Sequence, residues 1–360
     1  MFIYLIQKLM SLKHYFLILI IVCSSLSLDA KEAFYPVSDI NPLLLHNSNS
    51  VVRDSKILLE IYSKRKVSYK VKDVITVLNE NGENEGVLYI PYDSNRAVDI
   101  KEATVYDKNG KFIKKFKNTE IYDQRYFDGF SLYSDARFKR ITPNISTYPY
   151  TVMYEYTIDF NGVVDYYDWT PIDGYYKSVE RASYSISLHD DMQVRIRGNN
   201  SEAVEKSEGV DDDVQYSWEL KNQLAIEREP YAITIYELVP AIMVAPTEFS
   251  YFGADVDLST WESYGRWIWE LIEDKTTLPE ERILFLKERV KGENNTLNKV
   301  KSIYQYLQTE TRYVSVQLGI GGFEPLSAQK VDEVKYGDCK ALVNYMRAML
   351  EAVEINSYYT

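Results

Sequence analysis

The stretch YGDCKALVNYMRAML, from Tyr336 to Leu350, has apolar residues at helical spacing directly after Gly337. This pattern predicts a helix that starts near Cys339 and buries one stripe of side chains. The predicted inward stripe consists of Leu342, Val343, Met346, Met349, Leu350 and Val353. Cys339 precedes Leu342 and Val343 by three and four residues, so we expect it on the same face, in the first turn.

Cys339 is a candidate nucleophile because of this position. The unpaired N–H groups at a helix start favour the thiolate, which is the nucleophilic form of cysteine. Lys340 acts in the same direction and Asp338 opposes it. The alternative is a structural role, since free cysteine is among the most buried residue types and packs as a small apolar side chain. Position alone leaves both interpretations open.

The segment YVSVQLGIGGFEP, residues 313–325, predicts a short strand that ends in a glycine-rich turn. A phosphate-binding loop is not indicated, because no Gly-Lys-Ser/Thr follows the glycines. Gln317 is a candidate oxyanion helper, since a side-chain amide can donate to a developing negative charge. The alternative is an ordinary polar residue at the end of a strand.

Three helices are predicted before this strand. Ser259 and Glu262 fit a capping box that starts a helix running to about Glu273. Its predicted inward residues are Trp261, Ile268, Leu271 and Ile272. A second helix follows Pro279, which suits a first-turn position. The third is predicted to bury Leu297, Val300, Ile303, Tyr304 and Leu307.

From Lys66 to about Leu220 the pattern changes to the alternation of half-buried strands. The sequence contains 32 tyrosines, a residue type that favours strands. Asn81-Gly82 and Asn109-Gly110 are typical of hairpin turns. The sequence therefore predicts an α+β protein, with an antiparallel β-sandwich over residues 50–247 and a helical lead-in to a second, α+β unit over residues 259–360.

The first thirty residues are typical of a secretory signal, with lysines, an apolar run from Tyr15 to Val22, and then small residues. The run is shorter than the roughly 20 residues of a membrane span. We therefore expect an exported protein, periplasmic or bound to the cell envelope, with no span once residues 1–30 are removed. A lipid anchor at Cys23 is the alternative, although Val22 occupies a position where a small residue is expected.

Charge and cysteine content limit the function further. The net charge of −12 with no concentrated basic face argues against a nucleic-acid partner. The run Asp211–Asp213 beside Gly209 indicates a solvated loop rather than a metal site, because cation loops need spaced oxygen ligands. Once Cys23 leaves with the signal, Cys339 has no partner for an intramolecular disulfide.

The run YGDCKALVNYMRAMLEAVEI, residues 336–355, resembles the nucleophile segment of the transglutaminase-like superfamily, and RYVSVQLGIGGFEP resembles its lead-in. The β-rich region is similar to the domain of unknown function that precedes such cores in exported bacterial proteins. It includes YYDWTP, residues 166–171, and YELVPAIMVAPTEFSY, residues 236–251. The resemblance covers about residues 50 to 360.

The resemblance implies a papain-like site in which a cysteine is followed along the chain by a histidine and an aspartate. Only Cys339 carries over, because His14, His46 and His189 all precede it. We therefore expect a C-terminally truncated chain that lacks activity by itself. The implied full-length protein would perform amide hydrolysis or acyl transfer on protein or peptide substrates, without a cofactor.

The alternative is a non-catalytic module that binds a glycan or a protein partner at the cell envelope through the β-sandwich. Its motivation is a cluster of aromatic residues, Tyr122, Tyr126, Phe127, Phe130 and Tyr133. Such residues can present stacking faces, but packing in the core is the simpler expectation. The sequence leaves the substrate, the choice between hydrolysis and transfer, and the oligomeric state open.

Overall fold

The computed structural model describes residues 34–127, 129, 131–189, 191–200, 205–208 and 214–359. The predicted signal segment, with His14 and Cys23, and the acidic run Asp211–Asp213 lie outside the described residues. The α+β prediction is confirmed: a sheet-rich N-terminal region is followed by helices. Within the described residues, no helix is long and apolar enough to span a membrane.

The strands, in chain order, are β1 (Ser50–Ser63), β2 (Lys66–Val77), β3 (Leu88–Tyr92), β4 (Arg96–Asp107), β5 (Phe112–Lys115), β6 (Tyr122–Arg125), β7 (Ser131–Ser134), β8 (Arg137–Ile141), β9 (Tyr150–Asn161), β10 (Lys177–Leu188), β11 (Val194–Asn199), β12 (Glu205–Glu208), β13 (Val214–Gln223), β14 (Ala241–Pro246), β15 (Glu248–Tyr251), β16 (Ala254–Asp257), β17 (Arg312–Tyr313), β18 (Ser315–Gln317) and β19 (Tyr336–Gly337). The helices are α1 (Pro42–Leu45), α2 (Ile235–Leu238), α3 (Trp261–Glu270), α4 (Glu280–Val290), α5 (Thr296–Glu310), α6 (Ala328–Val334) and α7 (Cys339–Ala352).

Eight strands form the main sheet, in the order β12-β13-β10-β1-β2-β9-β4-β5. Neighbours are antiparallel except for β1 and β10, which are parallel. The prediction of a purely antiparallel sandwich is therefore wrong at this pair. The segment 162–176 between β9 and β10 carries the chain past β2 and β1, and parallel neighbours require such a crossover.

Smaller sheets cover one face of the main sheet. The three-stranded sheet β3-β8-β6 contributes Leu88, Ile90 and Ile141 to the same apolar core, and the β11-β14 pair contributes Ile242 and Val244. Val51 is next to Val52 on β1 and therefore on the opposite face, where it packs with Ile40 and Leu44 in a small separate cluster. The main apolar core of the N-terminal region therefore lies between the main sheet and the smaller sheets.

The two predicted hairpins have different outcomes. Asn109-Gly110 does join β4 to β5, with Gly110 at φ 75° and its N–H donating to Asp107 O at 2.9 Å. The prediction for Asn81-Gly82 is wrong: both residues lie in a 3₁₀ helix, Glu80–Gly86. The strands on either side, β2 and β3, belong to different sheets, so no tight turn joins them.

The helices form a second core around Leu286, Ile303, Tyr345 and Met349. Helix α3 starts one residue later than predicted: Thr260 is the N-cap and forms its box with Ser263. Several predicted inward residues are exposed instead, because the buried faces are rotated from the expected stripes. These residues are Trp261, Leu297 and Tyr304.

The sheet-rich and helical regions meet at a β-hairpin, β15–β16, and at a strand pair. The Ser250 N–H donates to Lys64 O at 3.0 Å, which ties the hairpin to the β1–β2 turn. Strand β7 of the N-terminal region pairs in parallel with β18, and Ser131 Oγ lies 3.0 Å from Ser315 Oγ. Strand β18 therefore receives its hydrogen-bonding neighbour from the N-terminal region.

Candidate active site around Cys339

A short pair of parallel strands places Cys339. Strand β17 pairs with β19, so that Tyr313 lies beside Gly337, and the Val314 N–H donates to Gly337 O at 2.9 Å. Asp338 is the N-cap residue of α7 and Cys339 is its first residue. The strand pair therefore fixes the start of the helix next to Tyr313.

The charges that flank the cysteine are paired with each other. Asp338 is buried and accepts a hydrogen bond from the Ala341 N–H at 3.0 Å through Oδ1. Its other oxygen accepts from Lys340 Nζ. From the sequence, Lys340 was expected to favour the thiolate and Asp338 to oppose it. In the structure the two side chains form an ion pair with each other. Lys340 is therefore neutralised by Asp338.

Cys339 itself is exposed, so the expected inward position is wrong. The face of α7 that packs into the core is centred on Ala341, Tyr345 and Ala348. At 100° per residue this face lies on the opposite side of the helix from Cys339. Val343, on the same side as the cysteine, is also exposed. The buried, structural interpretation of this thiol is therefore not supported.

Tyr313 is the partner that the sequence did not reveal. Its hydroxyl makes hydrogen bonds with both the side chain and the backbone of Cys339. Burial and the negative charge of a Cys339 thiolate raise the pKa of Tyr313, so its hydroxyl keeps its proton at neutral pH. A donor hydroxyl beside a thiol can stabilise either the thiolate or an oxyanion formed next to it. The contact depends on the pairing of β17 with β19, which the sequence does not show.

A second phenol lies near the same group. Burial and the charges of Asp338 and Cys339 raise the pKa of Tyr359. Tyr313 and Tyr359 thus both lie within the electrostatic influence of the thiol. This places two aromatic hydroxyls around the start of α7.

Gln317 does not share the cleft beside Asp338. Side chains alternate along a strand, and Val316 and Leu318 line that cleft. Gln317 lines a separate cleft, with Asp93 and Ser94 of the N-terminal region. Cys339 is in the lining of neither cleft, so the role of Gln317 as an oxyanion helper stays a prediction.

The cleft beside Asp338 has a volume of about 570 Å³. Its apolar lining comes from Val316, Leu318, Ile320, Pro325 and Leu326. Its polar lining includes Lys330, together with Lys275 and Glu324, which form an ion pair at 2.7 Å. An apolar groove with a few polar groups suits a side chain or a short peptide segment.

The described histidines lie elsewhere. His46 follows α1, and His189 follows β10, with its ring stacked on Tyr62 at 4.6 Å. The prediction that His189 ends a strand is confirmed. Neither residue contacts the Cys339 site, and the described residues contain no group of three or more His, Cys, Asp or Glu side chains that would suit a metal ion.

Comparison with known proteins gives a family match and a fold match. Residues 63–227 match a family described as a domain of unknown function with a solved structure, DUF3857. Curated proteins give no match. A crystal structure of a candidate protease from Parabacteroides distasonis is similar, with a TM-score of 0.63 and 14% identity, over 86% of this chain and 59% of that chain. At this identity the likeness shows the fold alone.

A crystal structure of an M1 zinc metallopeptidase from Deinococcus radiodurans matches at 8% identity over 67% of this chain and 53% of that chain. Its TM-score of 0.25 is too low to support an argument. The chain spans about three fifths of the length of the Parabacteroides distasonis protein.

Proposed function

We propose that Cys339 is the nucleophile of an exported enzyme that performs thiol-based amide chemistry, either hydrolysis or acyl transfer, on protein or peptide substrates. The observation that carries the proposal is an exposed thiol at the first position of a 14-residue helix, hydrogen-bonded to Tyr313. The helix start favours the thiolate, and the cleft lined by the neighbouring residue Asp338 offers room for a peptide. The resemblance to transglutaminase-like cysteine sites and the likeness to a candidate protease support the same chemistry.

In this mechanism the thiolate attacks an amide carbonyl and forms a thioester, and the amine leaves with a proton from the histidine that the resemblance implies. Water or a second amine then gives a proton to that histidine and attacks the thioester, which releases the acyl group and regenerates the thiolate. Tyr313 is placed to donate a hydrogen bond as charge develops on the carbonyl oxygen. The resemblance implies a histidine and an aspartate after the cysteine, and neither His46 nor His189 takes that place. No cofactor enters the proposed reaction.

The test is the alkylation rate of Cys339 by iodoacetamide at pH 7, read by mass spectrometry of the peptide that contains it. We expect a rate about tenfold above that of glutathione, because thiolates at helix starts react faster than free thiols. The urea-unfolded chain is the matched control, and its Cys339 should react no faster than glutathione. A folded-state rate equal to or below that of glutathione contradicts the proposal.

A second candidate function is binding through the N-terminal region, and one observation favours it. The side chains of Tyr122, Tyr126 and Phe127 are 57%, 50% and 84% exposed, so the expectation that they pack in the core is wrong. Phe130 and the side chain of Tyr133 lie outside the described residues. Exposed aromatic rings are suited to stacking on sugars or on apolar partner residues.

Binding of the purified protein to an array of cell-envelope glycans tests this second function. We expect the double variant Tyr126→Ala/Phe127→Ala to lose any binding that the native protein shows. Tyr231→Ala removes a ring that is even more exposed, elsewhere on the N-terminal region, and should leave binding intact. Unchanged binding by the double variant would remove the support for this function.

A further inference from the structure

A second cleft, of about 610 Å³, lies on the N-terminal region and shares a wall with the cleft beside Asp338. Leu318 lines both clefts, and its side chain is 47% exposed. A peptide bound in the first cleft can therefore continue past Leu318 into the second. We name the second cleft the arginine cleft, after Arg96, Arg125 and Arg137 in its lining.

Two of these arginines have carboxylate partners. Arg96 Nε lies 3.6 Å from Asp93 Oδ2. Arg137 donates from Nη2 to Asp123 Oδ1 at 2.8 Å and from Nε to the Tyr92 hydroxyl at 2.9 Å. These contacts hold both guanidinium groups in place at the edge of the cleft. They leave Arg125 as the third cation.

The Arg125 side chain makes no ion pair or hydrogen bond with any residue that the structure describes. Asp135 also lines the cleft, but its Oδ2 accepts from the backbone N–H and the hydroxyl of Ser94. The Arg125 guanidinium is exposed, so it is available to an incoming anion. Its five N–H donors match the geometry of a carboxylate.

The strand register places two of the cations next to each other. Tyr92, Arg137 and Arg125 lie in one row across β3, β8 and β6, with Arg125 directly opposite Arg137. Like charges directly opposite each other in a sheet are destabilising. Asp123 neutralises one of the two cations, so a ligand carboxylate would neutralise the other.

We propose that the arginine cleft is a substrate subsite that binds the side-chain carboxylate of an acidic residue in a peptide. The inference rests on the proposed peptide chemistry at Cys339, because the shared wall at Leu318 joins the two clefts into a single groove. Arg125 makes the direct contact, and Arg137, directly opposite it on β8, adds to the positive potential of the cleft. The substrate class is therefore a peptide with an acidic residue near the reacting amide.

The experiment measures peptide binding by fluorescence anisotropy, with a neutral fluorophore and blocked peptide ends. The peptides are alanine-based, contain one glutamine, and carry a glutamate one to four residues after it; each has an analogue with glutamine in place of glutamate. We expect the best glutamate peptide to bind about tenfold tighter than its analogue at low salt, the size of one charge-assisted hydrogen bond. Arg125→Gln should reduce the preference to less than about twofold.

Arg140→Gln is the control, because Arg140 lies on β8 of the same sheet but projects to the opposite face from Arg137. It should keep the preference. Equal binding of all glutamate peptides and their analogues, or an unchanged preference in Arg125→Gln, overturns the proposal. Binding requires no thiol reaction, so an inert Cys339 with an intact glutamate preference would refute only the proposed enzyme function.

Discussion

At the scale of single residues, the candidate site is a thiol and a phenol that belong to different strands and helices. Tyr313 lies 26 positions before Cys339 and reaches it only because β17 pairs with β19. The raised pKa of Tyr313 keeps its hydroxyl protonated at neutral pH, so it can act as a donor. This donor distinguishes the site from a surface cysteine with no neighbours.

Tyr313→Phe tests that contact. We expect iodoacetamide to alkylate Cys339 about three- to tenfold more slowly in this variant at pH 7, because the thiolate loses a hydrogen-bond donor of about 1 kcal/mol. The rate is measured by mass spectrometry over a series of reaction times. Tyr336→Phe, on the neighbouring strand, is the control and should keep the native rate; an unchanged rate in Tyr313→Phe would argue against the role of this hydroxyl.

At the scale of elements, Asp332 holds three helices together beneath the candidate site. One of its oxygens accepts from Arg282 of α4, from Lys335 at the end of α6 and from the Tyr345 hydroxyl of α7, each at 2.8 Å. Burial by itself would raise the pKa of Asp332. The hydrogen bonds from Lys335 and Tyr345 and the charge of Arg282 outweigh burial and lower it.

Asp332→Asn tests this junction. We expect a loss of about 2–3 kcal/mol in the free energy of unfolding at pH 7, because two partly buried cations lose their counter-ion. A carboxyl with a lowered pKa stabilises the fold above its unfolded pKa, and this contribution disappears as the pH falls through the folded pKa. The difference between variant and native protein should therefore shrink below about pH 4.

Urea unfolding followed by tryptophan fluorescence at several pH values measures this difference. Glu333→Gln is the matched control, since Glu333 forms an exposed pair with Lys330 at 2.9 Å and should cost less than about 1 kcal/mol. The free energies of unfolding of Asp332→Asn and the native protein are compared at each pH. If their difference stays constant down to about pH 3, Asp332 is not the ionised carboxylate that its contacts indicate.

At the scale of the whole molecule, Gly162 controls how closely the connecting hairpin approaches the main sheet. It follows β9 at φ +83°, and its N–H donates to Arg65 O at 2.8 Å. A Cβ at this position would lie 2.2 Å from Ser250 O of β15. Only glycine allows this approach of the two backbones.

Gly162→Ala should therefore displace β15–β16 from the sheet and reduce the free energy of unfolding by more than about 2 kcal/mol. Gly253→Ala is the control: Gly253 also has a positive φ, +90°, but a Cβ there meets no atom within 4 Å. It should cost only the backbone strain, about 1–2 kcal/mol. Urea unfolding and trypsin cleavage near β15 check both variants, and equal losses would show that the close approach is unimportant.

Local patterns in the sequence determined the classes of structure and the start of the key helix. Alternation predicted the strands, helical patterns predicted α7 and the three helices α3 to α5, and Gly337-Asp338-Cys339 placed the thiol at a helix start. Helix α6 was not predicted. These features depend on neighbours a few residues apart, which a single sequence shows. The residue-level exposure of Cys339, Trp261 and Tyr304 was not predicted, because periodicity does not fix which side of a helix meets the core.

Only the tertiary structure decided the relations between distant segments. The parallel β1–β10 pair, the contact of Tyr313 with Cys339, and the row of Arg125 and Arg137 all depend on register between strands far apart in the chain. Gln317 and Val316 are adjacent in sequence yet face different clefts, because a strand alternates its sides. Local sequence sets the period of each element, whereas pairing and packing free energy, which involve the whole chain, set which elements meet.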